Sequence, residues 1–244
     1  MTFSDKTIEV RQMKNPPDRE RIRHLYKIGI IAAILVLAGD MLLGWGVPDE
    51  SMTGIDQYFS RYLTVSDTRI FLSAFFGLIG IPIECLSYFG IYRVIASRSE
   101  KLAHAYRAGI IGMTAFGALV HVLCCAAIYH FRSLYALTPE NAEDGAVKFV
   151  LYFLLPAAVI FAIFFFLLAA VQICAFAKGM TPYPKWCAVF SILAGFIVIA
   201  VMRLFGNHAF AYAISTGWIS IGSIYMLSGL LIVSRKAMNN HEKQ

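Results

Sequence analysis

The chain has 244 residues, of which 59% are hydrophobic and only 15% are charged. A soluble domain usually carries about a quarter charged residues, so this composition excludes an ordinary cytosolic globule. Intrinsic disorder needs few aromatic residues, and 19 Phe with 12 Tyr exclude it as well. The net charge of +6 sits at the edges of the apolar runs and gives no sign of a nucleic-acid partner. The composition is typical of a polytopic membrane protein whose first partner is the lipid bilayer.

A helix that crosses the hydrocarbon core needs roughly 20 apolar residues. Runs of that kind, bounded by charged, Pro or turn residues, cover 27–47, 70–96, 106–130, 147–177, 185–205 and 209–233. We therefore predict an all-α fold, a transmembrane bundle of six helices.

Lys and Arg resist translocation and accumulate on the cytoplasmic side of a membrane. Here they concentrate in the N-terminal segment, in the second and fourth loops and in the tail, whereas the other loops are acidic. Six crossings place all the basic segments on one side, so both termini are predicted to be cytoplasmic. The predicted organisation is a basic arm over 1–26, a transmembrane domain over 27–233 and a tail over 234–244. The arm lacks the apolar core of a secretory signal peptide.

Three ionisable residues fall inside the apolar runs, namely Asp40, Glu84 and His121. Each costs at least about 2.5 kcal/mol in the bilayer core, so each must face the bundle interior or a wet cavity. Counting about 1.5 Å of rise per residue places Asp40 and His121 at one level in the outer half, with Glu84 nearer the midplane. Pro82 predicts a kink beside Glu84. The sequence therefore predicts an outward-facing polar pocket between the first three helices and the last.

Two interpretations of these residues stay open. Asp40 and His121 either bind a ligand or relay protons, with Glu84 at the pocket floor, or they form a structural pair that fixes helix register. Trp218 lies deeper than the other tryptophans and is the one expected to line the pocket.

A second set of polar residues is predicted at the outer mouth: His130, Arg203, Asn207 and His208. This set would bind an anion or a lipid head group, or it would anchor the bundle at the interface. No metal site is predicted, because the chain has no HxxxH or HExxH motif. No cofactor is indicated.

Several local patterns occur together along the chain: Gly39-Asp40, Gly80-Ile81-Pro82 followed by Tyr88, Gly90 and Tyr92, His121 followed by Tyr129, the turn 181–186, and the run 217–222. Together they resemble a family of uncharacterised six-helix bacterial membrane proteins, over about residues 25 to 233. The resemblance implies a location in a bacterial cytoplasmic membrane and a role for Asp40 and His121. It implies no activity. Tyr88 of the second pattern joins the candidate ligand-binding residues.

Three functions are compatible with these features. In the first, the protein binds or moves a small or lipidic ligand, or protons. In the second, it is a membrane-embedded lipid-modifying enzyme that uses Asp40, His121 and Glu84 as acid and base. In the third, it is a non-catalytic accessory subunit. The sequence does not decide whether the protein is an enzyme, and it sets no oligomeric state.

Overall fold

The computed structural model describes residues 18–241, with side chains up to Ser234. The described part of the chain is all-α, with no strand. Its α-helices, in chain order, are α1 (Arg19–Gly44), α2 (Gly54–Ser60), α3 (Asp67–Ser87), α4 (Phe89–Ala96), α5 (Glu100–Leu137), α6 (Pro139–Phe149), α7 (Leu155–Ala177), α8 (Gly195–Arg203), α9 (Ala209–Thr216) and α10 (Trp218–His241). A π-helical segment, Val150–Leu154, joins α6 to α7, and two 3-10 segments, Lys185–Val189 and Ile192–Ala194, precede α8.

Four helical segments are long and apolar enough to cross a membrane: Arg19–Gly44, Asp67–Ala96, Glu100–Leu137 and Pro139–Ala177. The pair α9 and α10 passes the same test as one unit, although the two helices are bent by 61° at Gly217. The residues that the structure describes therefore carry four to five candidate membrane spans. This agrees with a multi-pass membrane protein.

The structure differs from the sequence-based prediction over 185–205, where we expected one uninterrupted helix. Two 3-10 segments lie there instead, and the chain is extended at Ser191, so the apolar helix runs only over Ile192–Arg203. The break is stabilised by polar side chains. The Gln172 amide donates a 2.6 Å hydrogen bond to the Phe190 carbonyl, and the Ser191 hydroxyl accepts from the Leu193 amide. These bonds satisfy backbone groups that a broken helix leaves free.

Proline has different effects in two of the long segments. Pro82 stays inside α3, which continues to Ser87, and the chain breaks only at Tyr88 before α4. Pro156 has no amide hydrogen, and the π-helical segment lies directly before it, with the Leu155 amide bonded to the Val150 carbonyl. The helix is thus not interrupted at Pro82, and the change from α3 to α4 comes six residues later, at Tyr88, whose backbone stays in the right-handed helical region.

Contacts between α1 and the last two helices fix their relative direction. Gly29 of α1 packs against Leu227 of α10, whereas Gly44 packs against Ala213 of α9. The α9–α10 pair therefore runs antiparallel to α1, and the start of α1 lies at the same end of the bundle as the end of α10. The largest apolar core cluster lies toward this end and includes Tyr26 and Leu230.

The first helix begins earlier than predicted. Asp18 caps it, since its Oδ1 accepts a 3.0 Å hydrogen bond from the Arg21 amide, and the helix starts at Arg19. The last part of the arm predicted over 1–26 is therefore helical. Residues 1–17 of the arm, and 242–244 of the tail, lie outside the described residues.

Candidate functional site

Asp40, Glu84 and His121, from α1, α3 and α5, line one internal cavity of about 200 Å³. Most of the remaining wall is apolar and is formed by Val36, Leu43, Ile81, Met113, Phe161 and Ile219. The three predicted ionisable residues therefore meet at a single, partly open space. Helices from both halves of the chain build it.

Asp40 is held by two different helices. Its Oδ2 accepts a 3.0 Å hydrogen bond from the Ser220 hydroxyl on α10, and its Oδ1 lies 3.5 Å from Nδ1 of His121 on α5. Only 9% of the residue is exposed. Gly39 beside it packs against the Ser73 backbone, which brings α1 close to α3. Asp40 is thus fixed in position at the helix contact.

His121 has one defined proton position. Its Nε2 lies 2.9 Å from the Ser73 carbonyl oxygen, and a carbonyl oxygen only accepts hydrogen bonds, so Nε2 carries a proton. Its Nδ1, on the other edge of the ring, faces Asp40. A second proton, when the pair holds one, lies on either Nδ1 or the Asp40 carboxyl group.

Glu84 is part of a separate hydrogen-bonded group. Its Oε1 accepts a 2.6 Å hydrogen bond from the Tyr88 hydroxyl, which lies 2.7 Å from the Ser223 hydroxyl on α10. Glu84 is 4% exposed and Tyr88 is fully buried. Tyr88 is not among the residues that line the cavity; it lies behind Glu84 and connects that carboxyl group to α10.

Ser73, His121 and Asp40 follow the order of a nucleophile, base and acid, since Ser73 Oγ lies 3.4 Å from Nε2. The geometry does not fit that chemistry. Nε2 already donates its proton to the Ser73 carbonyl, so it has no lone pair to take the hydroxyl proton. Ser73 is fully buried and does not line the cavity. This serine is therefore part of the packing between α3 and α5.

The structure places Trp218 outside the cavity wall. Its ring stacks on Phe196 at a centroid distance of 4.4 Å and meets Phe165 edge-on at 5.6 Å. The next residue, Ile219, is the one that lines the cavity. Trp218 holds the start of α10 against α7 and α8.

The four residues predicted at the outer mouth lie in two separate places. The His130 ring, near the end of α5, lies 5.5 Å from the Phe149 ring at the end of α6. Arg203, Asn207 and His208 lie at the turn between α8 and α9, where Tyr212 donates to Asn207. Within the described part of the chain, no hydrogen bond or ion pair links His130 to that turn. These residues do not form one cluster.

Sequence reasoning missed the polar partners on α10. Ser220 and Ser223 are spaced by three residues, so they lie on one helix face, and they contact Asp40 and Tyr88. A pair of serines on one face of a predicted membrane helix is a readable signal. Serines are common in such helices, so the partners could not be assigned from the sequence.

Arg61 is a second feature that the sequence did not reveal. Its guanidinium lies over the rings of Tyr58, Tyr62 and Tyr212, at 4.4, 4.5 and 5.1 Å, and it donates to the hydroxyls of Tyr58 and Tyr62. Arg61 is buried, and it joins the segment after α2 to α9. In the sequence, Arg61 is simply one of the few basic residues in the otherwise acidic loops.

Among the side chains that the structure describes, 18–234, no group of three or more His, Cys, Asp or Glu is placed to hold a metal ion.

Long apolar helices with ionisable side chains buried between them define a polytopic, all-α protein of the membrane class. The chain belongs to a family of unknown function, DUF6796, whose model matches residues 12–237. The expectation that the chain belongs to an uncharacterised family is thereby confirmed. No curated protein and no solved structure matches the chain.

Proposed function

We propose that the protein binds a small ligand, or exchanges protons, in the cavity formed by Asp40, Glu84 and His121. The observation that carries this proposal is that three ionisable side chains from three helices line one space of about 200 Å³. Ionisable residues at membrane depth are costly and usually mark substrate or proton sites. At about 30 Å³ per water, the space accommodates about six or seven waters, or a small molecule. The volume is too small for a whole lipid.

We further propose six membrane crossings, the fifth of which is the broken segment. Phe190 packs against Gly229, Ile192 against Gly222 and Gly195 against Trp218, so 190–195 ascends beside a descending α10. The segment over 185–205 then crosses the membrane from the cytoplasmic to the outer side, and the segment over 209–234 crosses back.

The proposed orientation and location follow from charge. In a six-crossing arrangement both termini lie on the side that holds most Lys and Arg residues, which is the cytoplasmic side of a bacterial membrane. The cavity is proposed to open outward, because Leu43, near the outer end of α1, and Thr216, which packs against Gly44 at that end, form part of its wall.

The test is native mass spectrometry of the purified protein, with lipid and metal analysis of whatever is bound. The double variant Asp40→Asn, His121→Ala is compared with the control Glu50→Gln, which changes an exposed carboxyl group outside the cavity. We expect a bound molecule or ion in the wild type and the control that the double variant has lost. If nothing binds to any form and the double variant only unfolds at lower temperature, Asp40 and His121 are a structural pair and the proposal is wrong.

A further inference from the structure

We infer that the ligand of this cavity is a small alkylammonium cation, an inference that rests on the proposed function. The charge of the cavity wall is the first reason. Two carboxyl groups line it, and neither Lys nor Arg does. An ionised carboxylate in apolar surroundings needs a positive partner, and the protein itself provides none in this space apart from a protonated His121.

The groups packed around the two carboxyl groups supply no further positive charge. Asp40 faces His121 and Ser220 and lies within electrostatic reach of Glu84. Glu84 faces Tyr88 and Ser223. The other titratable neighbours are the thiols Cys85, Cys124 and Cys125. Every one of these groups is neutral or acidic except His121, which is a cation only when Nδ1 is protonated.

Hydrogen-bonding capacity gives the second reason. Among the described residues no hydrogen bond to Asp40 Oδ1 is formed, and His121 Nδ1 lies 3.5 Å from it, which is longer than an ordinary hydrogen bond. Carboxylate oxygens accept, and a primary ammonium group brings three donors. A quaternary ammonium has no N–H donor and would need an aromatic cage, whereas Phe161 is the one Phe, Tyr or Trp side chain among the residues that line the space.

The apolar wall gives the third reason. Val36, Ile81 and Met113 surround the remaining space and suit an alkyl chain. A volume of about 200 Å³ limits that chain to a few carbons. The same wall disfavours an anion, because each carboxyl group repels it when ionised and no Lys or Arg side chain lines the space to attract it.

Binding of such a cation is coupled to protons. Either a proton or the ammonium group balances the charge of each carboxyl group, so the two compete. Cation binding therefore releases protons and weakens as the pH falls, by up to about tenfold per pH unit for each proton displaced.

The experiment uses propylammonium and its uncharged counterpart 1-propanol as probes. Isothermal titration calorimetry on the full chain, in an uncharged detergent, measures both at several pH values, and a pH indicator in weak buffer measures proton release. We expect propylammonium to bind at least about tenfold more tightly than 1-propanol, with protons released. Asp40→Asn and Glu84→Gln, which keep the side-chain shape, should each weaken binding at least about tenfold. Glu50→Gln should not change it.

The outcomes separate the inference from the proposed function. Equal binding of the two probes would overturn the cation assignment and leave a cavity that binds by apolar contact. The same conclusion follows if neither probe binds while mass spectrometry finds another ligand that depends on Asp40 and His121. If neither probe binds and nothing else is bound, both proposals are wrong. If Asp40→Asn does not fold, the two wild-type titrations and Glu84→Gln still decide the question.

Discussion

Replacing Gly77 with alanine should disturb the candidate site through a single methyl group. A Cβ atom at Gly77 would overlap the His121 ring, with Cγ only 2.6 Å away. The ring must then move from its position between the Ser73 carbonyl and Asp40. Overpacking of this kind costs about 1–3 kcal/mol, and a lost hydrogen bond adds about 1 kcal/mol. Alanine recovers up to about 1 kcal/mol through its helix propensity, so we expect a net loss of about 1–3 kcal/mol.

A double-mutant cycle tests this explanation, because His121→Ala removes the ring that the new methyl group meets. The double variant Gly77→Ala, His121→Ala should be no less stable than His121→Ala alone. Gly77→Ala then costs about 1–3 kcal/mol only when the His121 ring is present, and this difference is the coupling energy between the two positions. Reversible unfolding in detergent micelles, followed by circular dichroism, measures all four proteins. Leu78→Ala, at an exposed neighbouring position, serves as the control. Additive losses would refute the packing of His121 against Gly77.

Three further predictions concern other parts of the structure. Tyr88→Phe removes the hydroxyl that donates to Glu84 and should lower the free energy of unfolding by about 1–3 kcal/mol, as measured by chemical denaturation. Arg61→Lys keeps the charge but loses the planar group over three tyrosine rings, so its unfolding temperature should fall, with a loss of about 1–2 kcal/mol; unchanged melting would contradict this. The Ser51 hydroxyl, and to a lesser extent the Ser51 amide, donate hydrogen bonds to Asp49 and lower the pKa of its carboxyl group. These bonds therefore stabilise the folded protein at pH values above the ordinary pKa of an Asp side chain, and that stabilisation is lost as the pH falls through the lowered pKa. Carbon-13 NMR titration should show the pKa of Asp49 rising toward its ordinary value in Ser51→Ala, and no rise would exclude that cause.

Hydrophobic runs were sufficient to predict the long helices, because a membrane requires each backbone group to be bonded within its own segment. They were not sufficient for 185–205. The break there depends on Gln172 and on the close approach of α10 at Gly222, contacts that come from elsewhere in the chain. Apolar composition indicates that a segment is buried or faces lipid. It does not show where a helix breaks, because that depends on tertiary contacts.

The candidate site shows the same division. Asp40, Glu84 and His121 stand out in the sequence because an ionisable residue is rare among apolar ones, and the common level of Asp40 and His121 follows from helix geometry. Their hydrogen-bond partners could not be predicted, since Ser220 and Ser223 reach them from the far end of the chain. The positions of Tyr88 and Trp218 depend on which way each ring turns, a property of the packed core and not of sequence spacing.

Accessibility of the cavity is the central claim, and Cys124 reports on it directly because it lines the wall within electrostatic reach of Asp40. The most direct measurement is modification of the folded protein with 2-aminoethyl methanethiosulfonate, followed by mass spectrometry of its peptides. We predict modification at Cys124, faster than with the anionic 2-sulfonatoethyl reagent, and a loss of bound ligand once it is modified. A Cys124 thiol that reacts only after unfolding would contradict the account, because no ligand of similar size could then reach Asp40.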